Sequence, residues 1–387
     1  MQLPIERIEV MPLDIVPARK RKIPTGALLY GGEGSWIGRP VLVRVCAGGL
    51  SGWGEVRPVN PFVGESAASM FATLRDFYGP LIMGRNALDI VGVLRDCENH
   101  SPGNPAALGA LDMALHDLVG QALEVPVHTL LGGAVKDSIP MEWSLGLSDE
   151  KTMIDEAVMA CEKHRVPYLC VKVGPADRID EDVRILTAIR KAVGSDVHFG
   201  LDANTTYDPV NAVRLMQRLA DVRITYFEQP VLGHALNDLR WVYDRANTSI
   251  MADESVRSLS DAAHVIEAKA CDVIATKIYK VGGVRRCREI AIVADASGMR
   301  VNCAGVANGS YIEALAGAHL CASVPNHAFG AEFLMGLPSA CEDPIVKNQP
   351  IDAKGGICNV PQLPGLGCEV DEAAVKKHSL SHAVVTA

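Results

Sequence analysis

The sequence predicts an α/β protein in which an N-terminal α+β domain precedes a (β/α)8-type barrel. The chain has 387 residues, which suits a barrel of roughly 200 to 250 residues and a second unit. Between Tyr168 and Lys277, short apolar runs end in a charged residue at intervals of 24 to 30 residues. That interval fits one strand, one helix and two loops. Roughly the first 130 residues lack this alternation, so we expect them to form a separate domain.

The composition disfavours several classes of partner. With 48% hydrophobic and 21% charged residues, the chain can bury a large core. A formal charge of −9 argues against nucleic acid and anionic membranes as main partners, because both attract basic patches. No apolar stretch is long enough to span a membrane. The N-terminus also lacks the basic head and apolar run of a secretory signal.

The eleven cysteines are scattered along the chain without a C-x-x-C pair. Most of them, such as Cys170 and Cys303, lie inside apolar runs. This pattern is typical of reduced thiols in a protein core, which persist in the cytosol. We therefore expect a cytoplasmic protein without a structural zinc site.

The N-terminal domain begins with three runs of alternating apolar and polar residues, which predict an antiparallel sheet. These runs are residues 5–11, 39–45 and 51–56. Residues 65–130 are predicted to be helical. Apolar residues recur at helical spacing over residues 105–123, and Pro105 suits a first helical turn.

A glycine-rich segment, residues 26–38, separates the first two of these strands. It lacks the G-x-G-x-x-G pattern, so nucleotide binding is disfavoured. Because glycine permits wide backbone excursions, we expect a mobile flap over a pocket. Glu33 in this segment would favour an amine-bearing substrate if it reached the pocket, although a solvent-facing glutamate is the commoner case.

The barrel is predicted to span residues 131–343. Strand and helix alternate from Ile139 onward, after the Leu-Leu-Gly-Gly sequence of residues 130–133. Strand-like runs continue to residues 300–303 and 327–329, which gives about eight in all, as a barrel requires. The loop-rich tail, residues 344–387, is expected to fold back onto residues 1–130.

Asp202, Glu228 and Asp253 follow three consecutive strand-like runs. Neighbouring parallel strands lie about 4.8 Å apart, so we expect the three carboxylates to converge. Like charges held together repel one another unless a cation neutralises them, and an all-oxygen set selects a hard ion. Asp202 alone would fit a helix cap equally well, but the evenly spaced trio predicts a site for Mg²⁺, with Mn²⁺ as the alternative.

Lys172 and Lys277 end the second and sixth runs, which face each other across a barrel mouth. A lysine at its ordinary pKa of about 10.4 is a poor base, but a nearby cation and partial burial both favour the neutral amine. Two opposed amines beside a metal suit removal of a proton α to a carboxylate through an ene-diolate. We expect Lys269 and Lys280, by contrast, to be surface residues.

These motifs resemble those of the enolase superfamily, and specifically of its muconate lactonizing enzyme subgroup. The barrel motifs are Lys172-Val-Gly, Asp202-Ala-Asn204, Glu228-Gln-Pro, Asp253-Glu254-Ser, and Lys277 with Gly282-Gly283. Trp53-Gly54-Glu55 resembles the family's capping domain, and Glu332-Phe333 resembles its eighth strand. The resemblance therefore covers nearly the whole chain. It implies a modified TIM barrel with an N-terminal α+β capping domain.

The resemblance also implies further roles. Asn204 and Glu254 would support the metal site, and Ser144 and Glu332 are assigned to substrate binding. Cap loops at residues 26–35 and 58–65 would select the substrate, which is expected to be a small-molecule carboxylate. Homo-oligomers, often dimers or octamers, are common in the family.

Two positions depart from related patterns. Many members carry Lys-x-Lys on the second strand, whereas this chain has Cys170 in the first of those positions. The change removes a positive neighbour that would lower the pKa of Lys172. Around Glu332 the chain also lacks the Asp-x-Asp of dipeptide epimerases, which disfavours that activity.

Three functions follow as hypotheses. The leading one is an isomerase that racemises or epimerises an amino-acid derivative, or cycloisomerises a muconate-like diacid. The alternative is a lyase that removes water from a hydroxy acid or a hydroxylated amino acid, for example of the hydroxyproline type, through the same ene-diolate. A metal-binding scaffold without activity is disfavoured by the intact set of five residues. No G-x-S-x-G elbow or dinucleotide fingerprint supports a hydrolase or a dehydrogenase.

Overall fold

An antiparallel sheet with helices comes first in the chain, and a curled parallel sheet follows it. The structure is a computed structural model that describes residues 2–16, 22–25, 34–59, 62–303, 311–332, 344–348 and 354–386. The predicted segment from Gly26 to Glu33 lies outside these residues, as does part of the predicted cap loop at residues 58–65.

The N-terminal sheet agrees with the sequence prediction. Its strands are β1 (Arg7–Pro12), β2 (Val41–Ala47) and β3 (Leu50–Val56), and β2 pairs antiparallel with both neighbours. The helices that follow are α1 (Ala67–Thr73), α2 (Gly79–Ile82), α3 (Ile90–His100), α4 (Pro105–Ala122) and α5 (Val127–Leu130).

The long helix α4 packs directly against β3 because two glycines remove the side chains between them. A Cβ at Gly54 would lie 2.0 Å from the Ala110 carbonyl oxygen, and one at Gly52 would lie 2.1 Å from that of Ala114. Any side chain at either position would push the helix off the sheet. The apolar stripe predicted for residues 105–123 is correspondingly buried, and Leu108, Leu111, Leu115 and Leu118 are all at most 3% exposed.

The parallel sheet follows β4 (Ser138–Pro140) and contains seven strands among the described residues. They are β5 (Glu142–Leu145), β6 (Tyr168–Lys172), β7 (His198–Asp202), β8 (Ile224–Glu228), β9 (Ser249–Ala252), β10 (Val273–Ala275) and β11 (Arg300–Asn302). The intervening helices are α6 (Glu150–Glu162), α7 (Ile179–Val193), α8 (Pro209–Arg218), α9 (Leu236–Tyr243), α10 (Leu259–Ala268), α11 (Ile278–Val281), α12 (Val284–Ala296) and α13 (Tyr311–Ser323).

The eighth barrel position is filled by a short irregular segment instead of a regular strand. Single parallel bridges join His327 to Val301 on one side and Ala331 to Met141 on the other. The predicted run at residues 327–329 is therefore in the right place, but it forms no continuous ladder. The two bridges close the curled sheet into the barrel that the residue spacing predicts.

The described part of the tail consists of β12 (Ile357–Asn359), α14 (Glu372–His378) and β13 (Ala383–Thr386). Strand β13 pairs antiparallel with β1, and β12 pairs with β4. The Leu366 amide donates to the Asp117 carboxylate on α4 at 2.8 Å. These contacts join the tail to both regions, and the domain division at residues 130 and 343 stays a prediction.

Helix α4 also holds the barrel loop that carries Lys277. Asp112, which is fully buried, accepts a hydrogen bond from the Val284 amide at 2.6 Å. This contact satisfies a free N–H at the start of α12. Gly283 comes so close that a Cβ there would lie 2.4 Å from the Asp112 carboxyl carbon. The Asp112 carboxylate thus links helix α4 of the N-terminal region to the loop that follows β10, the sixth strand of the parallel sheet.

No helix among the described residues is both long and apolar enough to traverse a bilayer.

We expect replacement of Asp112 by Ala to lower the free energy of unfolding by about 1 to 3 kcal/mol, because buried amides at the start of α12 lose their acceptor. Asp112→Asn keeps an acceptor oxygen and should lose less than half as much. Urea titration of both variants measures the difference. Equal destabilisation by Ala and Asn would contradict the capping role.

Candidate active site at the barrel mouth

The register of the parallel strands places three charged side chains side by side. Lys172 pairs with Asp202, and Asp202 pairs with Glu228. Because neighbouring residues in register project from the same face of a sheet, all three point in one direction. Asp253 follows the end of β9, and Lys277 lies two residues beyond β10. All five predicted residues therefore lie at the C-terminal ends of successive strands.

Asp202 is held by contacts to both of its oxygens. The Asn204 amide N–H donates to Oδ1 at 2.8 Å, and the Asn204 side chain donates to Oδ2 at 3.1 Å. Lys172 forms an ion pair with the same Oδ2. The Asn204 side chain also donates to Glu254 at 3.3 Å. Asn204 thus connects Asp202 to Glu254.

Lys277 faces Lys172 across the acidic cluster. Its Nζ forms an ion pair with Asp253 Oδ2 and lies 3.5 Å from Glu228 Oε1. The ring of Phe62 lies over it, with 5.2 Å between Nζ and the ring centroid, a distance at which a cation is attracted to an aromatic face. The amine therefore occupies a position where a positive charge meets two carboxylates at once.

Lys280 is a third lysine of the site, and the prediction that it is a surface residue was wrong. Its Nζ donates to Asp253 Oδ1 and to the Asp253 carbonyl, both at 2.6 Å, and to the Ala275 carbonyl at 2.9 Å. The single turn α11 brings the side chain back under Lys277, where it is 1% exposed. Lys269, by contrast, is exposed, as expected.

Burial and mutual repulsion control the ionisation of this cluster. Burial, followed by the charge of Asp202, raises the pKa of Glu228 well above its ordinary value. Burial lowers the pKa of Lys172, but the neighbouring carboxylates, Asp202 first, outweigh it and hold that pKa above its ordinary value. The pKa of Lys277 is raised in the same way by Asp253 and Glu228. Without a cation, the lysines are the counter-ions of the acids.

The chemistry of the donor set suits a divalent metal ion. Oxygens of Asp202 and Glu228 lie within 4.8 Å of each other, whereas Asp253, which pairs with Lys277 and Lys280, does not join them at that distance among the described residues. Two buried polar atoms at the site, Asn204 Oδ1 and Glu254 Oε2, have no hydrogen-bond partner among the described residues. Such atoms in a native protein indicate an absent ligand, ion or water. The ammonium groups of Lys172 and Lys277 already meet the three carboxylates, so this cluster suits positive charge. A cation shared by the carboxylates would lower the pKa of both amines, because it would replace them as counter-ion.

Below the lysines, a second polar pair occupies the barrel interior. Glu142 on β5 accepts a hydrogen bond from the Tyr226 hydroxyl at 2.7 Å, and burial raises the pKa of Glu142 to about 8. Glu332 follows Ala331, whose carbonyl accepts a hydrogen bond from the Glu142 amide at 2.8 Å, and the nearby charge of Glu332 adds to this rise. Sequence reasoning missed this pair, although a glutamate inside the apolar run of residues 139–147 was a signal for it.

The two residues assigned to substrate binding lie near this floor. Ser144 is fully buried and pairs in register with Cys170 of β6. Glu332 is half-buried. A cavity of about 670 Å³ opens beside Asn204 and Glu254 and is bordered by Phe62, His234 and Arg257. The predicted Glu33 contact lies outside the described residues.

Two family models match the chain. Residues 38–132 match the mandelate racemase/muconate lactonizing enzyme N-terminal domain, and residues 152–374 match the enolase C-terminal domain-like family. Muconate cycloisomerase 1 of Rhodococcus opacus is 32% identical over 378 residues, which cover 97% of this chain and 98% of the relative.

Solved structures give the same result. Muconate lactonizing enzyme from Pseudomonas fluorescens, complexed with muconolactone, superposes with a TM-score of 0.88 at 27% identity, over 98% of this chain and 100% of that one. Dipeptide epimerase from Enterococcus faecalis V583, complexed with Mg and the dipeptide L-Leu-L-Tyr, superposes with a TM-score of 0.84 at 29% identity. The superposition covers 95% of this chain and 100% of the epimerase.

We expect Lys280→Met to lower the free energy of unfolding by about 3 to 5 kcal/mol when no divalent ion is present, because Asp253 would keep a buried charge with one partner fewer. Denaturant titration in the presence of a chelator measures this loss. The exposed Lys269→Met control should change the same quantity by less than about 0.5 kcal/mol. Similar values for the two variants would show that Lys280 does not stabilise Asp253.

Proposed function

The chain belongs to the mandelate racemase/muconate lactonizing enzyme family of the enolase superfamily, and from this premise we propose how its site works. The protein is an isomerase that removes the proton α to the carboxylate of a small molecule and forms an ene-diolate. The observation that carries this proposal is the register of β6, β7 and β8, which aligns Lys172, Asp202 and Glu228, with Lys277 on the opposite side of the acids.

Asp202, Glu228 and Asp253 would hold the divalent ion, with Mg²⁺ as the first choice and Mn²⁺ as the second. Oxygen-only ligands favour such hard ions. A bound ion supplies positive charge to the substrate carboxylate and so favours the ene-diolate over the starting acid. Asn204 and Glu254 contribute by fixing the direction of Asp202, since the hydrogen bonds from Asn204 reach both acids.

Lys172 and Lys277 move the protons. Each amine forms an ion pair with a carboxylate. When those carboxylates coordinate a metal ion instead, each amine is released from its ion pair. One amine takes the α proton from its face of the substrate. The other amine returns a proton to the opposite face or stabilises the leaving group. This division suits both racemisation, or epimerisation, of an amino-acid derivative and muconate-type cycloisomerisation.

Substrate selection is assigned to the residues around these amines. Ser144 and Glu332, near the barrel floor, would contact the reacting end of the substrate. The cavity beside Phe62 and Arg257 would take the part remote from the reacting carbon. We further propose that the protein is a cytoplasmic homo-oligomer, a dimer or an octamer. The unpaired thiols of Cys46, Cys97, Cys170 and Cys271 support a reducing compartment.

We expect Lys172→Ala and Lys277→Ala each to slow α-proton exchange by about 10²- to 10⁴-fold, the range for loss of a general acid or base. A screen in D₂O with Mg²⁺, over N-acyl amino acids, proline derivatives, dipeptides and muconates, identifies a substrate by mass gain at the α carbon. Lys269→Ala is the matched control and should exchange at the wild-type rate. Unchanged exchange in both site variants would refute the two-lysine proposal, and net loss of water would indicate the lyase.

Removal of divalent ions should abolish the same exchange, and added Mg²⁺ should restore it, because three carboxylates cannot favour an ene-diolate without a cation. Glu228→Gln should resist this restoration at Mg²⁺ concentrations that saturate the wild type. Isotope exchange before and after chelator treatment, with Mg²⁺ added back, makes the measurement. Full exchange in the presence of excess chelator would contradict the metal requirement.

A further inference from the structure

Cys170 lies in the barrel directly beneath the proposed catalytic lysine. It precedes Lys172 by two residues on β6, and side chains two residues apart on a strand point to the same face. Its register partners are Ser144 on β5 and Gly200 on β7. Gly200 offers no side chain, so nothing from β7 stands between the thiol and the acids of the layer above. Cys170 is therefore an inward-facing residue of the site.

The thiol lies within reach of two of the acids. Cys170 Sγ and one carboxylate oxygen each of Asp202 and Glu228 lie within 4.8 Å of one another, and all three residues are buried. In the described part of the chain, this is the one group of three or more metal-ligating side chains found at such distances. The set combines one sulfur with two oxygens.

No neighbour in the described structure uses the thiol as a hydrogen-bonding group. Cys170 is 3% exposed, and no hydrogen bond joins its sulfur to any described residue. The Tyr226 hydroxyl, which fills the space over Gly200, donates to Glu142 at 2.7 Å instead. A buried sulfur without a partner, facing two carboxylates, is free to act as a ligand.

We propose that Cys170, with Asp202 and Glu228, forms a site for thiophilic divalent ions such as Co²⁺, Zn²⁺ and Cd²⁺. Thiolates favour these ions, whereas Mg²⁺ prefers oxygen ligands. On binding, the sulfur–metal bond forms as the thiol proton leaves to solvent, with no change of oxidation state. The inference rests on the proposed function in one respect, because two of its ligands are carboxylates assigned there to Mg²⁺.

The residue type at this position determines which ions the site admits. A lysine at position 170 would place an ammonium group here, which would repel any cation that approached from beneath. A thiol has no charge to repel the ion and offers a third donor atom. The same pair of carboxylates is therefore expected to bind oxygen-seeking ions from above and thiophilic ions in a deeper position, closer to β6.

Co²⁺ titration of the metal-free protein tests the inference through absorption spectra, without any assay of activity. The wild type should show visible d–d bands together with a near-ultraviolet thiolate-to-Co²⁺ charge-transfer band. Cys170→Ser should lose the charge-transfer band and retain the d–d bands. Cys271→Ser is the matched control, since Cys271 is also buried, and should retain both. Affinity for Cd²⁺ should fall at least about tenfold in Cys170→Ser only.

Each remaining outcome is decisive. Wild-type d–d bands without charge transfer would overturn thiolate ligation and leave the oxygen site of the proposed function intact. Charge transfer that survives in Cys170→Ser would also overturn it. Absence of both bands would overturn this inference and the carboxylate metal site together. If Cys170→Ser fails to fold, X-ray absorption of the wild type with one equivalent of Zn²⁺ replaces it. That spectrum must contain a sulfur at about 2.3 Å, and a shell of oxygen and nitrogen alone refutes the inference.

Discussion

The acidic cluster at the barrel mouth is the constraint on which the rest of the site depends. Asp202, Glu228 and Asp253 are at most 7% exposed, and buried like charges cannot remain ionised without compensating positive charge. Lysines provide that charge, and each is a residue whose burial would otherwise be unfavourable. The acids and the amines thus stabilise one another when no ion is bound. An ion that took the place of an ammonium group as counter-ion would also release the amine of Lys172 or Lys277, so metal binding and release of the proposed catalytic amines would be coupled.

The fold supplies this geometry through register and through a single buried cap. In-register parallel strands align side chains without help from loops, which is why Lys172, Asp202 and Glu228 meet. Asp253 and Lys277 lie beyond their strands and require other support. Lys280 fixes Asp253 from below, and Asp112 fixes the start of α12 from the N-terminal region. The less regular half of the site is therefore the half that depends on contacts from outside the sheet.

Sequence reasoning located the parts of the site that follow from strand periodicity. The even spacing of the strand-like runs identified Asp202 and Glu228. Each repeat of one strand and one helix returns the chain to the same edge of the sheet, so the side chains at the ends of neighbouring strands lie side by side. It failed at Lys280, since a polar residue after a strand looks solvent-exposed until the single turn α11 folds it back. It also missed the bond between Glu142 and Tyr226, which joins strands distant in sequence. The irregular eighth position of the barrel was unpredictable for a related reason. Its bridges depend on β11 on one side and on the residue just before β5 on the other, and these segments are distant in sequence.

Cys170 shows how one strand residue bears on base strength as well as on the choice of ion. A lysine at this position would place positive charge next to Lys172 and lower its pKa whether or not an ion was bound. A thiol contributes no such charge. Burial then favours the neutral form of Lys172, while Asp202 and Glu228 favour its charged form. Which form is more stable depends on whether those two acids also coordinate an ion. A divalent ion held by these acids would therefore be the main control on the basicity of Lys172 in this chain, whereas a chain with lysine at position 170 would depend on it less.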